Sequence, residues 1–192
     1  MNTRSGLLEQ IQLNENIEEE EGIAANMESE EVDNTERGNQ SQLVQWLAYD
    51  DPILQIKIDY PSSWEKEEYL DGIEFTPPDS VRTEFDVDKE PLLPSIDTPQ
   101  KYMREVLNEM RDSELKIISL NETTVNNYPA YKALYEVGGP QPFGVKPTTI
   151  SYLMVNTDDY TGYHISFDTD REDLPQYLPD IERMVNSFQI TK

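Results

Sequence analysis

The chain has 192 residues, no cysteine, and a formal net charge of −24 from 39 acidic against 15 basic residues. The charge excludes a bare phosphate backbone as partner, since nucleic-acid binders need a basic footprint. The missing cysteines exclude disulfides, thiolate metal sites and cysteine nucleophiles. No run of residues approaches the roughly eighteen apolar positions that span a bilayer, so membrane insertion is not expected.

Residues 1–40 hold eleven Asp and Glu against Arg4 and Arg37, no aromatic side chain, and the glutamate run Glu18 to Glu21. Such a segment buries too little apolar surface to offset chain entropy, and 1–41 is predicted to be a disordered acidic tail. Leu7, Leu8 and Ile11 fall at helical spacing within it, but so short a helix is marginal in water. The tail's net −9, taken from −24, leaves −15 on residues 41–192. With Met1 as the natural start the chain is expected in the cytoplasm; a leader or anchor removed from its front would make it extracytoplasmic.

Order is predicted from Gln42, with 42–192 as one α/β domain. Leu54, Ile56, Ile58 and Tyr60 alternate with polar residues, the period of a half-buried strand, and Leu43 to Tyr49 is its predicted hairpin partner across Asp50-Asp51-Pro52. Gly72 to Phe75 and Glu84 to Val87 read as short strands separated by a turn that holds Pro77 and Pro78. The period then changes. Thr98 is placed as N-cap and Pro99 at the first helical position, with Tyr102, Met103, Val106, Leu107 and Met110 on one stripe. Five strands are predicted next: Leu115 to Leu120, Thr123 to Val125, Ala130 to Val137, Thr148 to Asn156, and Gly162 to Asp168. Asn126-Asn127 is a hairpin turn by composition, and Gly138 to Pro147 an irregular loop carrying Phe143. Tyr177, Leu178, Ile181, Met184, Val185 and Phe188 form a second helical stripe, N-capped by Asp173 and expected to bend or restart at Pro179. Neighbouring strands joined by short turns, with two helices, argue for an α+β fold built on an antiparallel sheet.

Tyr60-Pro61-Ser62-Ser63-Trp64, the segment Glu74 to Pro78, the Thr98-Pro99 helix start with Tyr102, and Tyr177-Leu178-Pro179 before Met184-Val185-Asn186-Ser187-Phe188 resemble the PsbP-like proteins over residues 43–190. The resemblance implies an α/β/α sandwich, a central antiparallel sheet flanked by helices, shared with Ran-binding import factors. It also implies a non-enzymatic, accessory character, the name-giving members being extrinsic subunits that help photosystem II retain calcium and chloride. No binding residue is carried over, because this chain is more acidic and has a single histidine.

That histidine, His164, must serve any Ser-His-Asp arrangement or imidazole base. On its strand it alternates with Tyr163 and Ile165, and the simpler expectation is a hydrogen-bonded structural side chain. No nucleophile elbow, zinc-protease helix, P-loop or dinucleotide fingerprint occurs, so the chain is not expected to be an enzyme. Carboxylates are richer material. Asp86, Asp88 and Glu90 share one face of an extended strand and could offer hard oxygen donors to calcium or manganese. Asp168 and Asp170 open a second acidic run, which departs from a calcium-binding loop at Asp173 and Pro179, where glycine and glutamate are required. A paired-carboxylate hydrolase would need two such groups across a cleft. Trp46 and Trp64 are expected in core or rim packing. The leading reading is a protein-binding module whose acidic surface steers a partner with a basic surface; the alternative is a divalent-cation binder.

Overall fold

The computed structural model describes residues 44–78, 80, 82–111, 113–138 and 147–191. The predicted tail, Phe143 and most of the loop after Gly138 lie outside the described residues. The elements in chain order are β1 (Trp46–Asp51), β2 (Ile56–Pro61), β3 (Glu65–Glu68), β4 (Gly72–Thr76), β5 (Glu84–Pro91), α1 (Pro99–Glu109), β6 (Glu114–Val125), β7 (Tyr128–Gly138), β8 (Pro147–Asn156), β9 (Thr161–Asp170), α2 (Leu174–Ser187) and β10 (Gln189–Ile190).

The strands form two antiparallel sheets. One is small, in the order β1-β2-β10; the other has seven strands in the order β3-β4-β5-β9-β8-β7-β6. The fold is thus α+β and dominated by antiparallel sheet. The expected single sheet is corrected to two, because among the described residues β1, β2 and the terminal β10 pair only with one another. The last of these was not expected: Gln189–Ile190 is too short to show a period.

Alternation along the large sheet sorts its side chains onto two faces. Phe75, Phe85, Phe167 and Ile150 stand side by side across β4, β5, β9 and β8, and Ile73, Val87, Ile165 and Tyr152 form the next row. These residues pack against Ile56, Ile58 and Tyr60 of the small sheet and against Ile181, Met184, Val185 and Phe188 at α2. The opposite face carries a smaller core in which Tyr102, Met103 and Leu107 of α1 cover Ala133, Tyr135 and Leu153 on β7 and β8. Each helix therefore lies against a different face.

The first helix starts as expected: the Thr98 hydroxyl accepts from the Lys101 amide at 3.3 Å, and Pro99 fills the first turn where no intrahelical N–H partner is needed. The second departs from expectation at its start. Asp173 stands at the N-cap without a side-chain cap, its φ of −89° and ψ of −19° lying in the helical region rather than the extended one that aims a capping oxygen. Pro179 lies inside one continuous helix, Leu174–Ser187, which does not restart there. Trp64 is buried and meets the Tyr177 ring edge-on at 6.1 Å, whereas Trp46 is half-buried beneath the Arg183 guanidinium, 4.0 Å from the ring centre.

Candidate functional site: an acidic half-face of the large sheet

The face that α1 covers on β7 and β8 continues onto β9, β5, β4 and β3, where neither helix makes an extensive contact. Strand register sets what stands there. On β5 the positions are Glu84, Asp86, Asp88 and Glu90; opposite them on β9 are Asp168, Ser166, His164 and Gly162. On the other side, Asp86 faces Glu74 and Asp88 faces Gly72 of β4, and Glu74 in turn faces Glu67 of β3. The basic residues of β3 and β5 alternate to the other side. Lys66 lies over the Tyr49 ring, and Lys89 donates to the Ile53 carbonyl at 3.1 Å and to Gln55 Oε1 at 2.8 Å. Across these four strands the face thus carries carboxylates and no lysine or arginine.

One carboxylate oxygen each from Glu84, Asp86 and Asp168 lie within 4.8 Å of one another. Asp168 accepts a hydrogen bond from Thr149 Oγ1 on β8. Like charge held in a half-buried place favours the neutral form. Burial first, and then Glu84, Asp88, Glu74 and Asp168, push the Asp86 carboxyl up to about 8. Burial also raises Glu84, with Asp168 and Glu74 adding to it, and raises Asp168 against the opposing Thr149 bond. Asp88 rises to about 6 through partial desolvation and the neighbouring Asp71 and Glu90. It leans toward β4, where a Cβ on Gly72 would fall 2.5 Å from its Oδ1, so only glycine leaves that space.

The five acids singled out from sequence are therefore distributed, not gathered. Asp86 and Asp168 meet across β5 and β9. Asp88 lies farther along the same face beside Asp71, and Glu90 accepts a hydrogen bond from the Tyr102 hydroxyl of α1. Asp170 pairs with Arg82 at 3.5 Å. Sequence reasoning missed Glu84, which begins the same strand and has the same parity as Asp86; the signal was present, but only the pairing with Asp168 makes it matter. Sequence parity relates residues within one strand, while proximity runs across strands, where neighbours stand about 4.5–5.5 Å apart.

His164 shares this face, and its Nε2 lies 3.1 Å from Ser151 Oγ, which lies 3.1 Å from the Tyr135 hydroxyl. Burial lowers the imidazole pKa to about 4, so the ring is neutral near pH 7. Ser151 is fully buried, and the Asp88 carboxylate opposite the ring leans away over Gly72. A nucleophile needs access and an oriented base. The Ser151 hydroxyl lacks that access, and the Tyr135–Ser151–His164 contacts form a packed polar link across β7, β8 and β9.

No protein-family model matches the chain, and no curated protein matches it in sequence. Solved structures do. The cyanobacterial PsbP (CyanoP) of Synechocystis sp. PCC 6803 superposes with a TM-score of 0.60 at 11% identity, over 79% of this chain and 95% of that one. The Ran-binding protein Mog1p of Saccharomyces cerevisiae gives 0.56 at 12% identity, over 78% and 97%. LpqN of Mycobacterium tuberculosis, described as involved in cell envelope biogenesis, gives 0.53 at 13% identity, over 78% and 92%. The chain has the PsbP and Mog1p fold. The resemblance read from the tyrosine-proline strand end and the Thr98-Pro99 helix start is thereby upheld at the level of architecture. Similarity at this identity fixes the fold and leaves function to the site. Among the described residues no helix is long and apolar enough to cross a membrane.

Proposed function

We propose that the chain is a non-enzymatic accessory module of the PsbP and Mog1p fold, an α/β/α arrangement whose acidic half-face docks a protein with a basic surface. The observation that carries this reading is the sorting of charge by strand parity: β3, β4, β5 and β9 turn their carboxylates to the face that α1 covers on β7 and β8, while Lys66 and Lys89 are turned to the other side. Such a face attracts a cationic partner over a distance that shrinks with salt, about 10 Å at 0.1 M ionic strength. The buried Ser151 and neutral His164 support a non-catalytic role, and the Ran-binding description of Mog1p supports a protein as partner. The test is association with a cationic probe protein such as cytochrome c, at low and high salt. Wild-type association should slow as salt rises. It should slow at low salt in Glu74→Gln/Glu84→Gln/Asp168→Asn and stay unchanged in Glu122→Gln/Asp158→Asn/Glu182→Gln, which removes the same number of carboxylates elsewhere. Equal loss in both variants would reduce the effect to net charge and sink the reading.

A second reading has its own observation. Three carboxylate oxygens within 4.8 Å of one another suit a calcium or manganese ion, since two ligands at 2.3–2.6 Å from calcium stand at most about 5 Å apart. Glu84, Asp86 and Asp168 would supply the oxygens; Asp88, Glu90 and Asp170 would not take part. A ligand of the folded state raises its unfolding temperature. Calcium or manganese should therefore give a saturable rise that magnesium does not, and Asp168→Asn should abolish it. Equal small rises with all three ions reject this site.

A further inference from the structure

Exposed apolar side chains gather at one end of the fold. Strand register puts the β3–β4, β6–β7 and β8–β9 turns at the same end of the large sheet as the exit from β5. The β1–β2 turn joins them there: Lys89 Nζ, near that exit, donates to the Ile53 carbonyl, and the Tyr128 hydroxyl donates to the carbonyl of Ile190 on β10. On or beside these turns stand Ile53, Tyr69, Leu70, Leu93, Tyr128 and Tyr160. They are six of the nine exposed large apolar residues among the described ones, with Leu70 at 93%, Ile53 at 77% and Leu93 at 68%. Backbone bonds place several of them side by side. The Lys89 amide donates at 2.7 Å to the carbonyl of Asp71, next to Leu70, and the Leu92 amide, next to Leu93, donates at 2.7 Å to the Tyr160 carbonyl. Apolar residues exposed singly are ordinary, whereas a group on one surface marks a contact.

Backbone strain falls at the same end. The described non-glycine residues of positive φ are Gln55, Asn126, Asn127 and Tyr160, all in these turns. Asparagine enters the left-handed region readily, but tyrosine does so at a cost, and Tyr160 has a φ of 54°. Its exposed ring adds little packing to offset that cost, and strain kept in such a place points to a use outside the fold. Charge selects the occupant. Asp51, Asp71 and Asp159 lie in the same turns, while Lys57 is paired with Asp50 and Lys89 is engaged by the Ile53 carbonyl and Gln55 Oε1. An anionic lipid surface and a second copy of this chain, at −24, are both repelled.

We infer that this turn end docks a protein whose apolar patch is rimmed by lysine and arginine, with Ile53, Leu70 and Leu93 as anchors and Tyr160 at their edge. Buried apolar anchors supply affinity, and the charge around them supplies the choice of partner. The surface is separate from the acidic half-face and stands or falls without it. Three short peptides serve as probes: leucine and lysine in equal parts, the same with serine for leucine, and the same with glutamate for lysine. Each is titrated into the isotopically labelled full chain, with backbone amide shifts as the map. The leucine–lysine peptide should bind roughly tenfold more tightly than either of the others, with shifts at Ile53, Leu70, Leu93 and Tyr160. Leu70→Ser/Leu93→Ser should bring it down to the level of the serine–lysine peptide without lowering the urea midpoint, since both side chains are exposed. Tyr160→Asn should weaken it while raising that midpoint, because asparagine relieves the backbone. The preference for leucine over serine should persist in Glu74→Gln/Glu84→Gln/Asp168→Asn, which separates this surface from the acidic half-face. Equal affinity for the leucine–lysine and serine–lysine peptides, or shifts that map elsewhere, overturns the apolar anchors. Equal affinity for the leucine–glutamate peptide overturns the basic rim. Binding to phosphatidylcholine–phosphatidylserine vesicles, or self-association in sedimentation, that Leu70→Ser/Leu93→Ser abolishes would give this end to a membrane or to a second copy and overturn the protein partner.

Discussion

Asp86→Asn is expected to stabilise the fold by about 2 kcal/mol at pH 9 and to change nothing at pH 3. In the folded chain the Asp86 carboxyl titrates at about 8, raised by burial and by Glu84, Asp88, Glu74 and Asp168, whereas in the unfolded chain it titrates near 3.8. Between these values the folded state holds a proton that the unfolded state has lost, so unfolding becomes easier as pH rises through the window. The full shift would exceed 5 kcal/mol at 1.36 kcal/mol per pH unit, and solvent at this half-open face screens it to the order of 2. Asparagine keeps the shape and carries no charge at any pH. His164 pulls the other way at acid pH: its folded pKa of about 4 lies below the usual 6.5, so it withdraws stability as pH falls from 6.5 toward 4. From pH 6.5 to 8 Asp86 acts with little opposition. Urea unfolding across that interval should show wild-type stability falling with pH and a nearly flat line for Asp86→Asn. Parallel slopes in the two proteins would show that Asp86 is already ionised at neutral pH and that the carboxylates do not constrain one another. The same measurement bears on the binding face, since a cation or a basic side chain arriving at Asp86 must displace its proton.

Local pattern was legible where one face of an element is apolar and the other is not. Ile56, Ile58 and Tyr60, or Tyr102, Met103 and Leu107, carry their own period, and burial follows it. β3 is the counter-example: Glu-Lys-Glu-Glu is exposed at every position, and it is a strand only because it lies at the sheet edge against β4, where lysine and glutamate also discourage further pairing. Leu115 to Leu120 and Thr123 to Val125 are one strand, β6, and an irregularity between Ile117 and Ser119, inside the first of these runs, shifts the parity the sequence pattern depends on. The candidate site was half legible for the same reason. Parity along β5 correctly placed Asp86, Asp88 and Glu90 on one face, but register across strands decides which acids meet, and register is set by long-range pairing that one sequence does not display.

Gly162→Ala is expected to destabilise the fold by about 2 kcal/mol through a single aromatic ring, and valine by more. A Cβ at this position would stand 2.8 Å from Cε1 and 2.9 Å from Cζ of Tyr102, with Leu92 Cδ1 at 3.1 Å. The ring is almost wholly buried, and its hydroxyl is tied to Glu90, which leaves it no room to swing. The alternatives are to lift the start of α1 from β9 or to break the Tyr102–Glu90 bond, and either also disturbs the carboxylates of β5. Gly162 lies within the regular strand β9, so removing glycine there should otherwise carry no penalty, alanine being the less flexible residue in the unfolded chain. A double-mutant cycle isolates the ring. In a Tyr102→Ala background the added methyl enters vacated space, and its cost should fall to nearly zero, giving a coupling of about 2 kcal/mol by urea unfolding. An unchanged cost in that background would place the constraint in the β9 backbone, and α1 would then be held on the sheet by Met103 and Leu107 without the help of the strand beneath Tyr102. A coupling of the expected size makes Gly162 the position that lets α1 reach the acidic strands, since the ring it admits is the one that extends from α1 to the last carboxylate of β5.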